Sequence, residues 1–115
     1  MKHYPAEKRR FVRADYLCKI VIVDAGNLTI STHTKNIGAG GVRVVIDRDI
    51  DVQSQVGLQL FLERKTITCR GKVVWMLKIE GRDESHKYGF DTGIEFIDIN
   101  QEDQGIINKL IESLS

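Results

Sequence analysis

The stretch YGFDTGIEFIDINQEDQGIINKLIESL, residues 88–114, decides the fold class because its periodicity changes in the middle. Residues 88–99 are rich in aromatic and β-branched side chains, which favour a strand. Asn100 suits the N-cap of a helix, and the acids Glu102 and Asp103 suit the positive end of a helix dipole. The stretch therefore predicts a strand followed directly by a helix.

The predicted helix carries an apolar stripe. Beyond Asn100, apolar residues recur with the 3.6-residue period of an α-helix. They are Ile106, Ile107, Leu110, Ile111 and Leu114. A single amphipathic helix has to bury such a stripe, so we expect it to pack against the strands that precede it.

Upstream of this stretch, five further apolar runs are typical of strands. They are residues 16–23, 28–37, 42–46, 56–62 and 66–79. Short turns separate these runs, and the polar segment 80–87 is predicted to form the mobile tip of the last hairpin. Six strands and one terminal helix in 115 residues predict a single, mainly β domain: a six-stranded antiparallel β-barrel with a C-terminal α-helix.

The formal net charge of +1 conceals an uneven distribution of charge. Residues 1–13 contain five bases and one acid, a net charge of +4, whereas residues 80–115 contain three bases and nine acids, a net charge of −6. We expect residues 1–14 to form a flexible basic arm and residues 15–115 to form the barrel with its helix. A duplex needs a broad basic surface, so nucleic acid is disfavoured as a partner, whereas a compact anion suits the arm.

Several other functional classes find no support in the sequence. Cys18 and Cys69 lie in apolar runs without a CxxC pattern, which favours buried free thiols over a disulfide or a metal pair. His3, His33 and His86 are scattered and lack the spacing of a metal site. No nucleophile elbow or phosphate-binding loop is present, so we expect neither an enzyme nor a cofactor. No stretch resembles a signal peptide or a membrane span, so we expect a cytoplasmic protein without membrane insertion.

The first candidate binding motif is KRRFVR, residues 8–13. An arginine guanidinium presents a planar fork of N–H donors to phosphate oxygens, pairs with the O6/N7 edge of guanine and stacks on purines. Arg9, Arg10 and Arg13 are close enough in sequence to bind the phosphates and bases of one compact nucleotide. The alternative interpretation is a solvated basic tail.

The second candidate motif is NIGAGG, residues 36–41. The amide of Asn36 offers a donor and an acceptor to a base edge, and three glycines in four positions let the backbone adopt positive φ and approach a ligand closely. The alternative interpretation is a tight turn between two strands. Trp75, further along the chain, is either a core residue or packs beside a guanine.

Together the two motifs resemble those of the PilZ domain family. Arg9 and Arg13 match the RxxxR motif of that family, Arg10 adds a further arginine, and Asn36 and Gly41 match the ends of its [D/N]xSxxG motif. The resemblance extends to residues 71–75, 88–90 and 93–97 and to the terminal helix.

The resemblance implies a β-barrel that binds cyclic di-GMP on its outer surface, with the basic arm wrapping over the ligand. The expected ligand-binding residues are Lys8, Arg9, Arg10, Arg13, Asn36, Gly38, Gly40, Gly41 and Trp75. Lys8, a cation directly before the RxxxR motif, favours a stacked pair of ligand molecules. Gly38 departs from the family pattern because it stands where the family has serine, and loss of that hydroxyl is expected to weaken binding by roughly tenfold.

The expected function is that of a bacterial cyclic di-GMP receptor. Ligand binding would change its conformation, and an effector protein would read the change, in the regulation of motility or biofilm formation. The alternative is a PilZ-like interaction module that does not bind the nucleotide, for example in pilus or motility assembly. A small barrel that binds RNA or DNA is a third hypothesis, and the acidic C-terminal third disfavours it.

Overall fold

The computed structural model of the chain describes residues 13–83 and 86–114, and of residues 81–83 and 86–88 the backbone only. Within these ranges the fold consists of seven strands and one helix. The strands are β1 (Arg13–Asp15), β2 (Lys19–Val23), β3 (Thr29–Gly38), β4 (Gly41–Ile46), β5 (Gln55–Phe61), β6 (Thr66–Asp83) and β7 (His86–Asp98), and the helix is α1 (Gln101–Leu114).

Six of the strands close into an antiparallel barrel. The order around it is β3-β2-β5-β6-β7-β4, and β4 pairs back onto β3. This confirms the predicted six-stranded barrel with a C-terminal helix. β1 is an additional strand outside the barrel, which pairs with the end of β3 through Arg13 and Gly38. It begins inside the segment 1–14 that the sequence analysis assigned to the arm.

The hairpin formed by β6 and β7 is longer than predicted. Its pairing continues from Glu80 opposite Tyr88 to Asp83 opposite His86, so most of the polar segment 80–87 belongs to the two strands. The charged composition of that segment concealed the strand, because its sequence lacks the apolar alternation by which a strand is recognised.

The core of the barrel follows the alternation of the strands. In β5, Leu58 and Leu60 are buried whereas Gln59 between them is exposed, as the sequence pattern predicts. Cys18 and Cys69 are both buried and free, which confirms the expectation for the two thiols. Burial raises the pKa of Cys18, and it raises the pKa of Cys69 to about 11.

Helix α1 packs against β3 and β1. Asn100 caps it as predicted, because the backbone N–H of Asp103 donates to Oδ1 of Asn100 at 2.8 Å. Ile107 and Ile111 of the apolar stripe are buried, whereas Leu114 at its end is exposed. In the described part of the chain, no helix is long and apolar enough to cross a membrane.

The start of the helix is also held by an ion pair. Lys65, in the turn between β5 and β6, lies 2.7 Å from the buried carboxylate of Asp103 and 3.2 Å from that of Glu102. The hydrogen bond to Asp103 is the main reason that the pKa of Lys65 is raised. The two acids therefore attach the helix to a barrel turn, in addition to their favourable place in its first turn.

Candidate functional site

Two β-bulges turn predicted binding residues to the outside of the barrel. Lys35 is an extra residue in β3, between the pairs Thr34–Val44 and Asn36–Arg43. Val74 is an extra residue in β6, between Val73 and Trp75. In a regular strand, residues two apart share a face, so Asn36 would point inwards with Thr34, and Trp75 with Val73. Each bulge reverses that alternation.

The outward side chains line a groove on the barrel wall, with a volume of about 380 Å³. This is within the usual range for small-molecule sites. The groove is lined by Arg13, Asn36, Gly40, Gly41, Val42, Arg43, Val74, Trp75, Gly93, Ile94 and Glu95. The lining contains two arginines, whose guanidinium groups can bind an anionic ligand through charge-assisted hydrogen bonds.

Arg13 and Asn36 are directly bonded in the groove. The guanidinium of Arg13 donates from Nε and Nη2 to Oδ1 of Asn36, at 2.9 and 2.6 Å. Burial and the positive charge of nearby Arg43 lower the pKa of Arg13. The two sequence motifs, 23 residues apart at these positions, therefore meet in one place.

The glycine turn joins β3 to β4 at the rim of the groove. Close approach is the reason for glycine at Gly41, because a Cβ there would collide with the backbone carbonyl oxygen of Ile94 in β7. The expectation of positive φ at these glycines is wrong: among the described residues positive φ occurs at Asn27 and Gln53 and at no glycine. At Gly41, therefore, the small size of glycine is required rather than its conformational freedom.

Trp75 is an exposed residue of the groove, with 42% of its surface accessible to solvent. The interpretation of Trp75 as a core residue is therefore wrong. Its indole lies on Gly93, its cross-strand neighbour in β7, where a Cβ would collide with the indole Nε1. Glycine at this position thus leaves room for an aromatic ring at the wall of the groove.

Arg43 is a groove residue that belongs to neither of the two sequence motifs. Its Nε and Nη2 donate to Oδ1 and Oδ2 of Asp91 at 2.8 and 2.5 Å, a two-point ion pair between β4 and β7. The hydrogen bond from Arg43 is the main reason that the pKa of Asp91 is lowered. A signal was present in the sequence, since Arg43 stands between the apolar residues Val42 and Val44 and so had to face outwards.

The structure brings together part of the predicted binding set. Arg13, Asn36, Gly40, Gly41 and Trp75 all line the groove. Gly38 pairs with Arg13 and with Gly41 in the sheet but is not one of the lining residues. The remaining predicted residues, Lys8, Arg9 and Arg10, lie outside the described residues.

The sequence model of the PilZ domain matches residues 7–113. The match covers nearly the whole chain, including both motifs, the barrel strands and most of α1. The chain therefore belongs to the PilZ domain family. No match is found among curated proteins.

Solved structures with the same fold are similar to this chain at low sequence identity. The PilZ domain of YcgR from Escherichia coli, solved with c-di-GMP, has a TM-score of 0.74 and 11% identity over 93% of this chain and 91% of that one. The inhibitor of motility MotI/DgrA from Bacillus subtilis has a TM-score of 0.75 and 19% identity over 98% of this chain. The complex of K. pneumonia MrkH with c-di-GMP has a TM-score of 0.71 and 17% identity over 92% of this chain.

Two of these three structures contain longer chains than this one. The match spans 51% of the MotI/DgrA chain and 52% of the MrkH chain, about half of each protein. At these identities the likeness establishes the fold.

Proposed function

We propose that this chain is a non-enzymatic receptor for cyclic di-GMP, which it binds in the groove on the barrel wall. The observation that carries the proposal is the convergence of Arg13, Asn36 and Trp75, from three separate strands, on one groove. A guanidinium binds phosphate oxygens through charge-assisted hydrogen bonds, and an exposed indole offers a stacking surface to a base. One compact, anionic purine nucleotide makes use of both.

Each predicted residue other than Gly38 has a role in this proposal. Arg13, together with Arg9 and Arg10 from the basic segment, would bind the phosphates and guanines. Asn36 would present its amide to a guanine edge. Gly40 and Gly41 lack side chains, so the ligand would approach their backbone closely. Lys8 would favour binding of two stacked ligand molecules.

Two of the solved neighbours support the choice of ligand. The PilZ domain of YcgR and the MrkH protein were each solved with c-di-GMP, and both have the fold of this chain. The sequence identity of this chain to these two proteins is only 11% and 17%. The proposed ligand therefore rests on the groove residues of this chain as well as on the shared fold.

Output would pass through contact with an effector protein in the cytoplasm. The turn that carries Gly40 is bonded to the helix, since Nε2 of Gln104 donates to the carbonyl oxygen of Ala39 at 3.2 Å. It is also bonded to β7, since the N–H of Phe96 donates to the carbonyl oxygen of Gly40 at 2.9 Å. A ligand that moves this turn would therefore change the surface formed with the helix, in addition to any change in the basic segment.

A second candidate function is an interaction module that does not bind the nucleotide. Gly38 favours it, because the position of the family's serine provides no hydroxyl to a ligand. A neutral hydrogen bond contributes about 0.5–1.5 kcal/mol, whereas a bond to a charged group contributes about 1.5–3 kcal/mol. The arginines therefore outweigh the missing serine, and we prefer the receptor.

Isothermal titration with cyclic di-GMP separates the two functions. We expect the native chain to bind, with a stoichiometry that tells one ligand from a stacked pair. Arg13→Ala should lose most of the affinity without changing the thermal midpoint of unfolding. Arg70→Ala is the matched control, because Arg70 forms a 3.2 Å pair with Asp98 and is not among the residues that line the groove. No heat of binding with the native chain would support the interaction module instead.

A further inference from the structure

Arg43 is held in place more firmly than a surface arginine usually is. Asp91 binds it through two hydrogen bonds, and the Asp91 side chain is only 10% exposed, whereas that of Arg43 is 42% exposed. A rigid two-point contact of this kind fixes the plane of the guanidinium. The ion pair thus anchors one edge of Arg43 and leaves the rest of the group accessible.

The guanidinium of Arg43 has N–H donors that remain available to a ligand. The group has five N–H donors, and Asp91 takes one from Nε and one from Nη2. Three donors, on Nη1 and Nη2, have no partner among the described residues. Two adjacent N–H groups on one edge match the O6 and N7 acceptors of guanine.

The position of Arg43 brings those donors beside the aromatic wall. Arg43 is paired with Asn36 in β3 and with Gly93 in β7, and Gly93 is paired with Trp75 in β6. Opposed residues in a sheet lie on one face, and adjacent strands are about 4.8 Å apart. Because the indole leans onto Gly93, it lies between its own strand and that of Arg43. A purine stacked on the indole would have its edge beside Arg43.

We infer that Arg43, positioned by Asp91, reads the O6/N7 edge of a guanine that stacks on Trp75. Arg43 would then be a specificity-determining residue, and Asp91 a positioning residue that acts through it. This inference rests on the proposed function, because it assigns a further recognition element to the same groove. Arg43 lies outside the KRRFVR and NIGAGG segments, from which the predicted binding residues other than Trp75 come.

The test combines four proteins with two ligands and measures each affinity by titration calorimetry. The ligands are cyclic di-GMP and its analogue in which both guanines carry carbon in place of N7, which keeps the phosphate charges and removes one acceptor. The proteins are the native chain and R43M/D91L, in which both partners become apolar so that no charge is left buried alone. D91N, which keeps Arg43 but weakens its anchor, is the third protein, and R70A controls for the removal of an arginine side chain outside the groove.

We expect the native chain and R70A to bind the analogue about 10-fold more weakly than cyclic di-GMP, as the loss of one charge-assisted hydrogen bond predicts. R43M/D91L should bind cyclic di-GMP at least 10-fold more weakly than the native chain does, and should distinguish the two ligands by a clearly smaller factor than the native chain does. D91N should fall between the two in both respects. A purely structural role for the ion pair would lower both affinities and leave their ratio unchanged.

Two results would overturn the inference while leaving the proposed function intact. One is a native chain that binds both ligands equally, and the other is an R43M/D91L variant that keeps the native ratio of affinities. A native chain that binds neither ligand would instead refute the proposed function itself. Circular dichroism of each variant would establish that it is folded before the titration.

Discussion

The indole of Trp75 lies on the backbone of Gly93, and its Nε1 occupies the space that a side chain at residue 93 would need. The position of the indole accounts for glycine at residue 93, and glycine there accounts for the position of the indole. The bulge at Val74 turns Trp75 outwards, and the absence of a Cβ at Gly93 leaves the indole the space that it occupies at the wall of the groove. Gly71 has a different role, since a Cβ there would lie 2.6 Å from Cγ2 of Ile94 and 2.8 Å from Cδ1 of Leu58, in the core.

The first prediction concerns this contact. Gly93→Ala should displace the indole, lower the free energy of unfolding by about 1–3 kcal/mol as over-packing does, and weaken cyclic di-GMP binding. Trp75 is the single tryptophan, so its fluorescence emission reports the displacement directly, and urea unfolding gives the stability. Gly57→Ala is the matched control, because the nearest atom to a Cβ there is 3.8 Å away. Native-like emission and stability in Gly93→Ala would refute the prediction.

The second prediction concerns the helix cap. Asn100→Ala removes the acceptor for the N–H of Asp103 and should lower stability by about 1 kcal/mol, or the thermal midpoint by about 4 °C. Asn108→Ala makes the same substitution at an exposed position inside α1, where alanine favours the helix, and should not destabilise the protein. Thermal unfolding, monitored by circular dichroism, distinguishes the two variants. An equal loss of thermal stability in both would contradict the assignment of Asn100 as the cap.

The third prediction concerns pH and the pair of Arg43 with Asp91. The pair lowers the pKa of Asp91 in the folded protein, whereas the unfolded chain takes up this proton near pH 3.9. The folded state therefore gains stability from this group above that pH and loses it as the pH falls through the lowered pKa. Asp91→Asn should be less stable than the native chain at pH 7, and the difference should shrink below about pH 4.

Urea unfolding at a series of pH values checks this dependence. Asp98→Asn is the control, since Asp98 belongs to the exposed pair with Arg70, and exposed pairs contribute little at any pH. A difference between Asp91→Asn and the native chain that stays constant from pH 7 to pH 3 would show that the ion pair does not account for it.

The barrel and its helix could be predicted because their signals are local. Leu58 and Leu60 alternate with polar residues in β5, and Ile107 and Ile111 lie one turn apart in α1, so burial on one face follows from the period. Asn100 is recognisable because side-chain capping acts over three residues. Each of these features is complete within a short stretch of the chain.

The side chains that point outwards into the groove could be predicted only in part, because their direction depends on β-bulges. A regular alternation places Trp75 on the same face as the buried Val73, so the sequence leaves open whether Trp75 belongs to the core or to the binding surface. The extra residue Val74 is defined only relative to β7, where Ile94 and Gly93 pair with the residues on either side of it. A single strand does not show where its partner leaves a residue unpaired.

The ion pair in the groove depends on contacts that are distant in sequence. Arg43 and Asp91 are 48 residues apart, and the chain has 16 acids that a single arginine could pair with. The barrel register selects one of them by placing β4 beside β7. Arg13 similarly reaches Asn36 because β1 adds to β3, although the segment that contains it has little apolar periodicity.

The central claim is that cyclic di-GMP binds in the groove, and an amide correlation spectrum with and without the ligand tests it most directly. The indole N–H of Trp75 gives a unique signal, and we expect it to shift together with the backbone signals of Arg13, Asn36, Gly41 and Gly93. The signals of Gly57 and its neighbours in β5, which do not line the groove, should stay in place. Shifts confined to β5, or no shifts at saturating ligand, would contradict the claim.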